Sequence, residues 1–211
     1  MTPKQITYEN QGKTIIKALA KRNMIGHYFA TSKEATNYIN SFIKDHSSVS
    51  WGGSMTLSEI GLLDQLNERD LNLLDRSKAA SGEEVGEIYR QAFSADYYLM
   101  STNAITMDGK LVNIDGNGNR VAALIFGPKQ VLVVAGMNKI ALNEAAGIER
   151  VHNVASPANT VRLNSKTPCR TSGQCYDCLV DDCICCQTVI TRKSRHNDRI
   201  HVILIGEELG Y

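Results

Sequence analysis

The sequence predicts an α/β fold in which a mostly parallel sheet carries helices on both faces. Short apolar segments with strand character alternate with segments whose apolar residues recur at helical spacing, which is typical of parallel βα units. Two threonines are each followed three residues later by glutamate: Thr31 by Glu34, and Thr56 by Glu59. This spacing predicts capping boxes, in which hydroxyl and carboxylate each accept a hydrogen bond from a free backbone N–H at a helix start.

The elements of the first half follow from apolar periodicity and from the residues at their boundaries. Ile15, Ile16 and Leu19 lie on one side of the first predicted helix. In chain order we predict helix 8–25 stopped by Gly26, strand 27–30, a helix opened by Thr31, strand 49–51, a helix from Thr56 to about Leu66, strand 72–75 and helix 83–93.

The second half is richer in predicted strands. Ala95–Thr106 is a strand that runs into the polar corner Ser101–Asn103, and the pair Asp108-Gly109 predicts a hairpin turn to Leu111–Ile114. The remaining predicted elements are buried strands 121–126 and 131–135, helices at about 138–149 (beginning near Gly136–Lys139) and 157–163, and strands 187–191 and 200–205 as a closing hairpin.

A glycine turn after strand 49–51 is the first candidate ligand site. Gly52 and Gly53 let the backbone approach a ligand without a Cβ in the way, and Ser54 follows them. The free N–H groups at the start of the next helix favour an anion at this position. The alternative is an ordinary strand-to-helix connection.

The polar loop Asp115–Arg120, which has no apolar side chain, is the second candidate site. Its backbone N–H groups, amides and guanidinium suit a phosphate or a carboxylate, and a plain turn is the alternative. Because ligands collect at the carboxyl ends of parallel strands, we expect several such segments to converge on one small anion. The predicted ligand-binding residues are Gly52, Gly53, Ser54, Thr102, Asn103, Gly118, Asn119, Arg120 and Lys139.

Composition narrows the class of partner. A net charge of +1 at pH 7 gives no reason to expect nucleic acid or an anionic membrane. No apolar stretch is long enough to span a bilayer, and the first residues contain no apolar signal region, so we expect a cytoplasmic protein. In a reducing compartment, six cysteines indicate metal or redox chemistry in place of disulfides.

All six cysteines lie between Cys169 and Cys186. Cys175 and Cys178 form a C-x-x-C pair, whose thiolates can hold one metal from a single turn. Cys169 and one later cysteine would complete four ligands. Four thiolates suit an iron–sulfur cluster and zinc alike, and six thiols without a metal are the alternative.

Several motifs, taken in order, carry a family resemblance. Together they resemble the LUD-domain proteins, and within that family the YkgG-like branch related to lactate utilisation protein C. The similarity runs from about residue 5 to residue 211. The motifs are Trp51-Gly-Gly-Ser-Met-Thr-Leu, Ser101-Thr-Asn-Ala-Ile-Thr with Asp108-Gly, Gly118-Asn-Arg120, Phe126-Gly-Pro, Gly136-Met-Asn-Lys139, Thr167-Pro-Cys and Gly206-Glu-Glu-Leu-Gly210.

The resemblance implies a single LUD domain over residues 1–211, with a NagB/RpiA/CoA-transferase-like fold and a cysteine-rich metal-binding insertion at 165–186. It also implies a role beside iron–sulfur partners in oxidising lactate to pyruvate. The cysteine pattern of the branch implies Cys169, Cys175, Cys178 and Cys185 as metal ligands. Cys183 and Cys186 are additional to that pattern, so the fourth ligand stays open among Cys183, Cys185 and Cys186.

The favoured hypothesis is a redox-associated protein of lactate metabolism that binds a small anion and a metal centre, with no catalytic residue assigned. The alternative is an isomerase-like or CoA-transferase-like enzyme acting on a phosphorylated or acyl-CoA substrate, with Glu207 or Glu208 as base or nucleophile. A third hypothesis is a zinc-stabilised interaction module. Expected partners are a small anionic ligand, iron–sulfur proteins and a second copy of the chain, without nucleic acid.

Overall fold

The computed structural model describes residues 1–211, which form ten strands and nine α-helices. None of these helices has both the length and the apolar composition needed to cross a membrane. The strands are β1 (Ile25–Phe29), β2 (Ser48–Trp51), β3 (Asn72–Leu74), β4 (Tyr97–Met100), β5 (Ala104–Thr106), β6 (Leu111–Asp115), β7 (Gln130–Gly136), β8 (Ile140–Ala141), β9 (Gln187–Thr191) and β10 (Ile200–Ile205). The helices are α1 (Pro3–Lys21), α2 (Ser32–Phe42), α3 (Met55–Glu59), α4 (Leu62–Asn67), α5 (Gly82–Gln91), α6 (Asn119–Ile125), α7 (Glu144–Arg150), α8 (Ser156–Leu163) and α9 (Pro168–Ser172), with the π-helical turn Val151–Ala155 between α7 and α8.

Six parallel strands form the central sheet in the order β1-β10-β7-β4-β2-β3. β10 and β7 lie inside it, and every residue of Val131–Gly136 and Ile200–Ile205 is buried. Such largely apolar runs are expected for strands that are covered on both faces. The predicted α/β class is confirmed, and the sheet is consistent with the NagB/RpiA/CoA-transferase-like fold that the resemblance implies.

Two apolar clusters cover the two faces of the central sheet. On one face, Ile15 and Leu19 of α1 pack with residues of β4, β7, β10 and α6. On the other face, Ala35 and Ile39 of α2 pack with Leu57 of α3. All five residues are fully buried, and burying a side chain of leucine size stabilises the fold by about 1.5–3 kcal/mol. The apolar residues whose spacing predicted these helices are therefore the residues that pack them onto the two faces of the sheet.

The chain leaves the central sheet after β4 and builds a second, four-stranded sheet in the order β8-β5-β6-β9. The polar corner Ser101–Asn103 separates β4 from β5, as predicted. β5 and β6 pair antiparallel around the predicted turn, where Gly109 has φ +83°. The corner therefore lies where the two sheets meet, at the carboxyl end of β4.

Replacing Gly109 with alanine should destabilise the protein by about 1–3 kcal/mol, because the position needs the left-handed backbone conformation. In addition, the new Cβ would lie 2.9 Å from the backbone nitrogen of Leu19 in α1. Urea unfolding followed by circular dichroism measures the loss. Gly82→Ala is the matched control, since a Cβ there meets no atom within 4 Å. Equal stability of the two variants would contradict the assignment of strain at Gly109.

The segment 121–126 was predicted as a buried strand, and that prediction is wrong because residues 121–125 belong to helix α6, with Phe126 as its C-cap. A strand between two layers would bury the whole run, whereas Phe126 is 77% exposed. Asp115 stabilises the helix start by accepting hydrogen bonds from the backbone N–H groups of Gly118 and Val121. Short apolar runs do not distinguish a strand from a helix by periodicity alone.

The capping box predicted at the start of α2 is confirmed, but the one predicted from Thr56 and Glu59 is wrong. Ser54 is the N-cap of α3, and its Oγ accepts a hydrogen bond from the backbone N–H of Leu57. The helix is also shorter than predicted, because Gly61, with φ +66°, separates α3 from α4. Thr56 is instead buried within the first turn, where its hydroxyl serves the candidate site.

Three connections differ from the sequence prediction. α1 ends at Lys21, so Gly26 is not a helix stop but lies within β1, where a Cβ would come 3.1 Å from the Cα of Ile16. Gly136–Lys139 leads through a single turn into β8, and the next helix begins only at Glu144. β9 and β10 do not form a hairpin, because β9 pairs with β6 while β10 enters the central sheet. Turn residues reveal a reversal of the chain but not which sheet the following strand joins.

Candidate anion cavity and cysteine segment

A cavity of about 580 Å³ is lined in part by residues that lie within three positions of the ends of β2, β4 and β7. Its size lies within the range of small-molecule sites, and it occupies the sheet edge where ligands of parallel sheets bind. Gly52 and Gly118 do not line the cavity. The other predicted ligand-binding residues do: Gly53, Ser54, Thr102, Asn103, Asn119, Arg120 and Lys139.

The two glycines after β2 make room for two arginine side chains. A Cβ at Gly52 would lie 3.1 Å from Cδ of Arg120, and a Cβ at Gly53 would lie 2.7 Å from Nη2 of Arg76. α3 has only five residues, so its dipole attracts an anion weakly. The glycine turn therefore favours an anion chiefly because it admits two cationic side chains.

Arg120 donates four of its five N–H groups inside the protein, and its side chain is only 13% exposed. Arg120 therefore adds positive charge to the cavity, while nearly all of its donors are already used. Its Nη1 donates to Ser101 O and Asn113 Oδ1, its Nη2 donates to Asn103 Oδ1 and Ile114 O, and its Nε lies 3.4 Å from Asp115 Oδ2.

The polar loop after β6 joins the cavity to the cysteine segment, residues 165–186. The backbone N–H of Cys186 donates to the carbonyl oxygen of Asp115 at 3.0 Å. A Cβ on Gly116 would lie 3.5 Å from the Cα of Ile184. The cysteine segment therefore forms one wall of the cavity, and its lining residues are Asp181, Asp182, Cys183, Ile184 and Cys186.

Lys139 lies in the cavity wall and is 4% exposed. Its Nζ donates to Thr56 Oγ1 at 2.9 Å and to Ser101 Oγ at 3.0 Å. Burial, with Arg150 and Arg120 nearby, lowers the pKa of Lys139 to about 7. A buried amine with hydroxyl partners and no carboxylate at ion-pair distance is therefore partly neutral at physiological pH.

Arg76 is a cavity residue that the sequence analysis missed. Its Nη1 donates to the hydroxyl of Tyr89 at 3.1 Å, and the guanidinium lies 5.6 Å from the centre of that ring. Arg76 forms no salt bridge. It lies two residues after β3 and directly after the predicted strand 72–75, so its position after a strand end was a usable signal. Asn159, Arg162 and Tyr211 also line the cavity, but only the tertiary fold brings them there.

All six thiols are free, and two of the predicted metal ligands lie against hydroxyl groups. Cys169 Sγ is 3.3 Å from Thr167 Oγ1, and Cys185 Sγ is 3.2 Å from Ser156 Oγ. Burial raises the pKa of Cys185 to about 11, so without a metal this thiol stays protonated at neutral pH.

The other two predicted ligands have different neighbours. Cys175 Sγ is 3.2 Å from Nδ1 of His152, a thiol–imidazole contact for which no sequence spacing gave support. Burial and a hydrogen bond with the Cys183 thiol raise the pKa of Cys178. Cys183, which lies outside the implied ligand set, is thus the thiol that most affects the pKa of Cys178.

No group of three or more cysteine, histidine, aspartate or glutamate side chains surrounds a common point that could hold a metal ion. The four predicted cysteines therefore do not form a ligand shell in this arrangement. Their chemistry does fit a thiolate-bound metal, because they are unpaired thiols within one short segment. Cys169, Cys175, Cys178 and Cys185 remain the predicted ligands, with Cys183 as the competing fourth.

Glu207 and Glu208 do not line the cavity. Glu207 accepts hydrogen bonds from the backbone N–H and the hydroxyl of Ser32. Glu208 pairs with Lys4 at 2.7 Å and accepts a hydrogen bond from Tyr8. Both carboxylates are bound elsewhere, so nothing in the site favours them as a base or nucleophile.

Comparison with known proteins places the chain in a family. A crystal structure of a DUF162 family protein from Deinococcus radiodurans is similar over 95% of this chain and 98% of its own, with a TM-score of 0.53 and 14% identity; at that identity the similarity shows the fold alone. Translation initiation factor eIF-2B from Pyrococcus horikoshii OT3 aligns with 53% of this chain and 47% of its own, with a TM-score of 0.34 and 15% identity. No curated protein matches the chain. The LUD domain model matches residues 12–205, and this protein therefore belongs to the LUD domain family.

Proposed function

We propose that this protein binds a small anionic ligand in the cavity, beside a metal centre held by the cysteine segment. We further propose that it serves an iron–sulfur-associated system that oxidises lactate to pyruvate. One observation carries the proposal: cationic side chains and residues of the cysteine segment line the same cavity. A carboxylate bound there would lie next to the thiols.

The anion part rests on charge and on unused donors. Arg76 and Lys139 line the cavity and form no salt bridge, and Arg76 donates only one N–H within the protein. Arg120 adds a charge that Asp115 only partly offsets, at 3.4 Å. A guanidinium with free N–H groups can bind a carboxylate through two parallel hydrogen bonds, so Arg76 is the principal anchor and Arg120 a supporting charge.

The metal part rests on the thiols. Cys169, Cys175, Cys178 and Cys185 would hold an iron–sulfur cluster, with zinc as the alternative. When bound, a cluster supplies one-electron transfer. The chain's own contribution is to bring Cys183 and Cys186 to the cavity wall, which keeps the metal segment and the anion close together.

Replacing Arg76 with alanine should weaken binding of a small carboxylate by about 1.5–3 kcal/mol, because the charge-assisted hydrogen bonds to the ligand are lost. Isothermal titration calorimetry with L-lactate, pyruvate and inorganic phosphate at low salt measures the change. Arg90→Ala is the matched control, since it removes the same charge from a residue outside the cavity that pairs with Glu87. Equal weakening in both variants would indicate general charge attraction and would contradict an anchor at Arg76.

Anaerobic purification followed by metal analysis tests the metal part. A brown protein containing iron and acid-labile sulfide supports the cluster. A colourless protein with one zinc per chain supports the alternative metal and argues against a redox role. Protein with neither metal, after expression with iron and zinc supplied, would end this half of the proposal.

A further inference from the structure

We infer that Lys139 forms a covalent imine with the carbonyl group of a small 2-oxo acid bound in the cavity. This inference rests on the proposed anion site and adds to it the class of ligand and a reaction. Lys139 lies in the cavity wall, where a small molecule in the cavity could reach it.

The surroundings of Lys139 differ from those of a lysine buried for structural reasons. A buried ammonium is normally paired with a carboxylate, since an unpaired buried charge is costly. Lys139 forms no ion pair, and its Nζ contacts only the hydroxyls of Thr56 and Ser101. A Cβ on Gly210 would lie 3.2 Å from Nζ, so this glycine leaves the amine room.

The charged groups around the amine favour its neutral form. Arg150 on α7 and Arg120 on α6 lower its pKa, while Glu59 on α3 raises it, and burial is the largest cause of the pKa of about 7. About half of the Lys139 amines are then neutral at pH 7, against roughly one in 2,500 for a lysine with an ordinary pKa. Only a neutral amine has the lone pair that attacks a carbonyl.

The reaction balances without a further reactant. The Nζ lone pair forms a C–N bond to the carbonyl carbon, and the carbonyl oxygen takes up a proton to give a carbinolamine. Loss of the nitrogen proton and of the hydroxyl releases one water molecule and leaves a C=N bond. The hydroxyls of Ser101 and Thr56, at 3.0 and 2.9 Å from Nζ, are placed to pass the proton between nitrogen and oxygen.

The same cavity explains why the ligand should carry a carboxylate beside the carbonyl. Arg76 offers N–H donors to an anion, and Arg120 adds positive charge that Asp115 partly offsets. An aldehyde without a carboxylate would leave the free N–H groups of Arg76 without an anionic partner. A 2-oxo acid therefore satisfies both the arginine side and the lysine side of the site.

Reductive trapping tests the inference directly. The purified protein is incubated with pyruvate and sodium cyanoborohydride, digested, and mapped by mass spectrometry. We expect one modified site, Lys139, with a mass gain equal to that of pyruvic acid less one oxygen atom. Lys17, an exposed lysine on α1, reports the background labelling, and Lys139→Arg should carry only that background.

The pH dependence separates a buried amine from a surface one. Labelling at Lys139 should rise as the pH passes through about 7 and then level off, whereas labelling of an exposed lysine rises until about pH 10. Ser101→Ala keeps the Lys139 amine but removes a hydroxyl that we expect to pass the proton. Lys139 in this variant should therefore be labelled at least several-fold more slowly, with the same pH midpoint.

Calorimetry with pyruvate is run alongside and separates the two proposals. Pyruvate binding without label on Lys139, or with label only at the level of Lys17, overturns the imine and leaves the anion site standing. A midpoint near pH 10 at Lys139 also overturns it. Absence of both binding and label contradicts the anion site and the imine together.

Discussion

Replacing Arg120 with methionine should cost about 3–5 kcal/mol of unfolding free energy, the largest stability effect expected from a single residue near the cavity. Four N–H groups of Arg120 donate to two amide oxygens and two backbone carbonyls, and its Nε lies 3.4 Å from the carboxylate of Asp115. Methionine fills much of the volume but donates nothing, so Asp115 is left largely buried, at 9% exposed. Urea unfolding followed by tryptophan fluorescence measures the change.

Arg162→Met is the matched control for this experiment. Arg162 also lines the cavity, but it is exposed and its hydrogen bonds go only to Asn159. We expect its loss to change stability by less than about 0.5 kcal/mol. If the Arg120 variant were as stable as the Arg162 variant, Arg120 would not hold the corner and the polar loop together, and its predicted role as a ligand contact would become the better explanation.

Serine at Cys175 or Cys178 should remove most of the bound metal, because both thiols are proposed ligands and such segments fold on their metal. Serine at Cys169 or Cys185 should do the same. Iron and zinc content of each purified variant, relative to protein concentration, is the measurement. Thermal unfolding should show a parallel fall in stability, since metal binding and folding of the segment are coupled.

The control variant is Cys186→Ser, which changes an exposed thiol at the cavity wall and should keep its metal. Cys183→Ser should also keep it if Cys185 is the fourth ligand. Because Cys183 is near enough to raise the pKa of Cys178, the Cys183 and Cys185 variants are the informative pair. Full metal content in the Cys185 variant with loss in the Cys183 variant would show that the fourth ligand is Cys183.

The parts of the fold that could be predicted from the sequence are those governed by local periodicity. The apolar spacing of Ile15 and Leu19 placed α1 against a sheet, and the long runs ending in Ala135 and Ile205 indicated central strands. The sequence does not predict the element correctly where a strand pattern and a helix signal overlap. The run 121–126 has strand composition, but Asp115 caps a helix there.

The candidate site was predictable in part for the same reason. Residues shortly after strand ends, such as Gly53 and Lys139, could be placed at one sheet edge by topology alone. The sequence could not predict which donors remain free for a ligand, because that depends on hydrogen bonds formed in the tertiary structure. Arg120 is the kind of residue that contacts anions, yet four of its five N–H groups are used within the protein, whereas Arg76 uses only one. The contact of His152 with Cys175 likewise requires the π-helical turn.

Calorimetric titration of pyruvate into metal-loaded protein and into protein stripped with a chelator is the most direct test of a single site shared by anion and metal. The cysteine segment forms one wall of the cavity through Cys183 and Cys186, and it should lose its order when the metal is removed. We expect one pyruvate per chain in the metal-loaded protein and at least tenfold weaker binding, about 1.4 kcal/mol, in the stripped protein. Identical affinity in both forms would contradict the shared site.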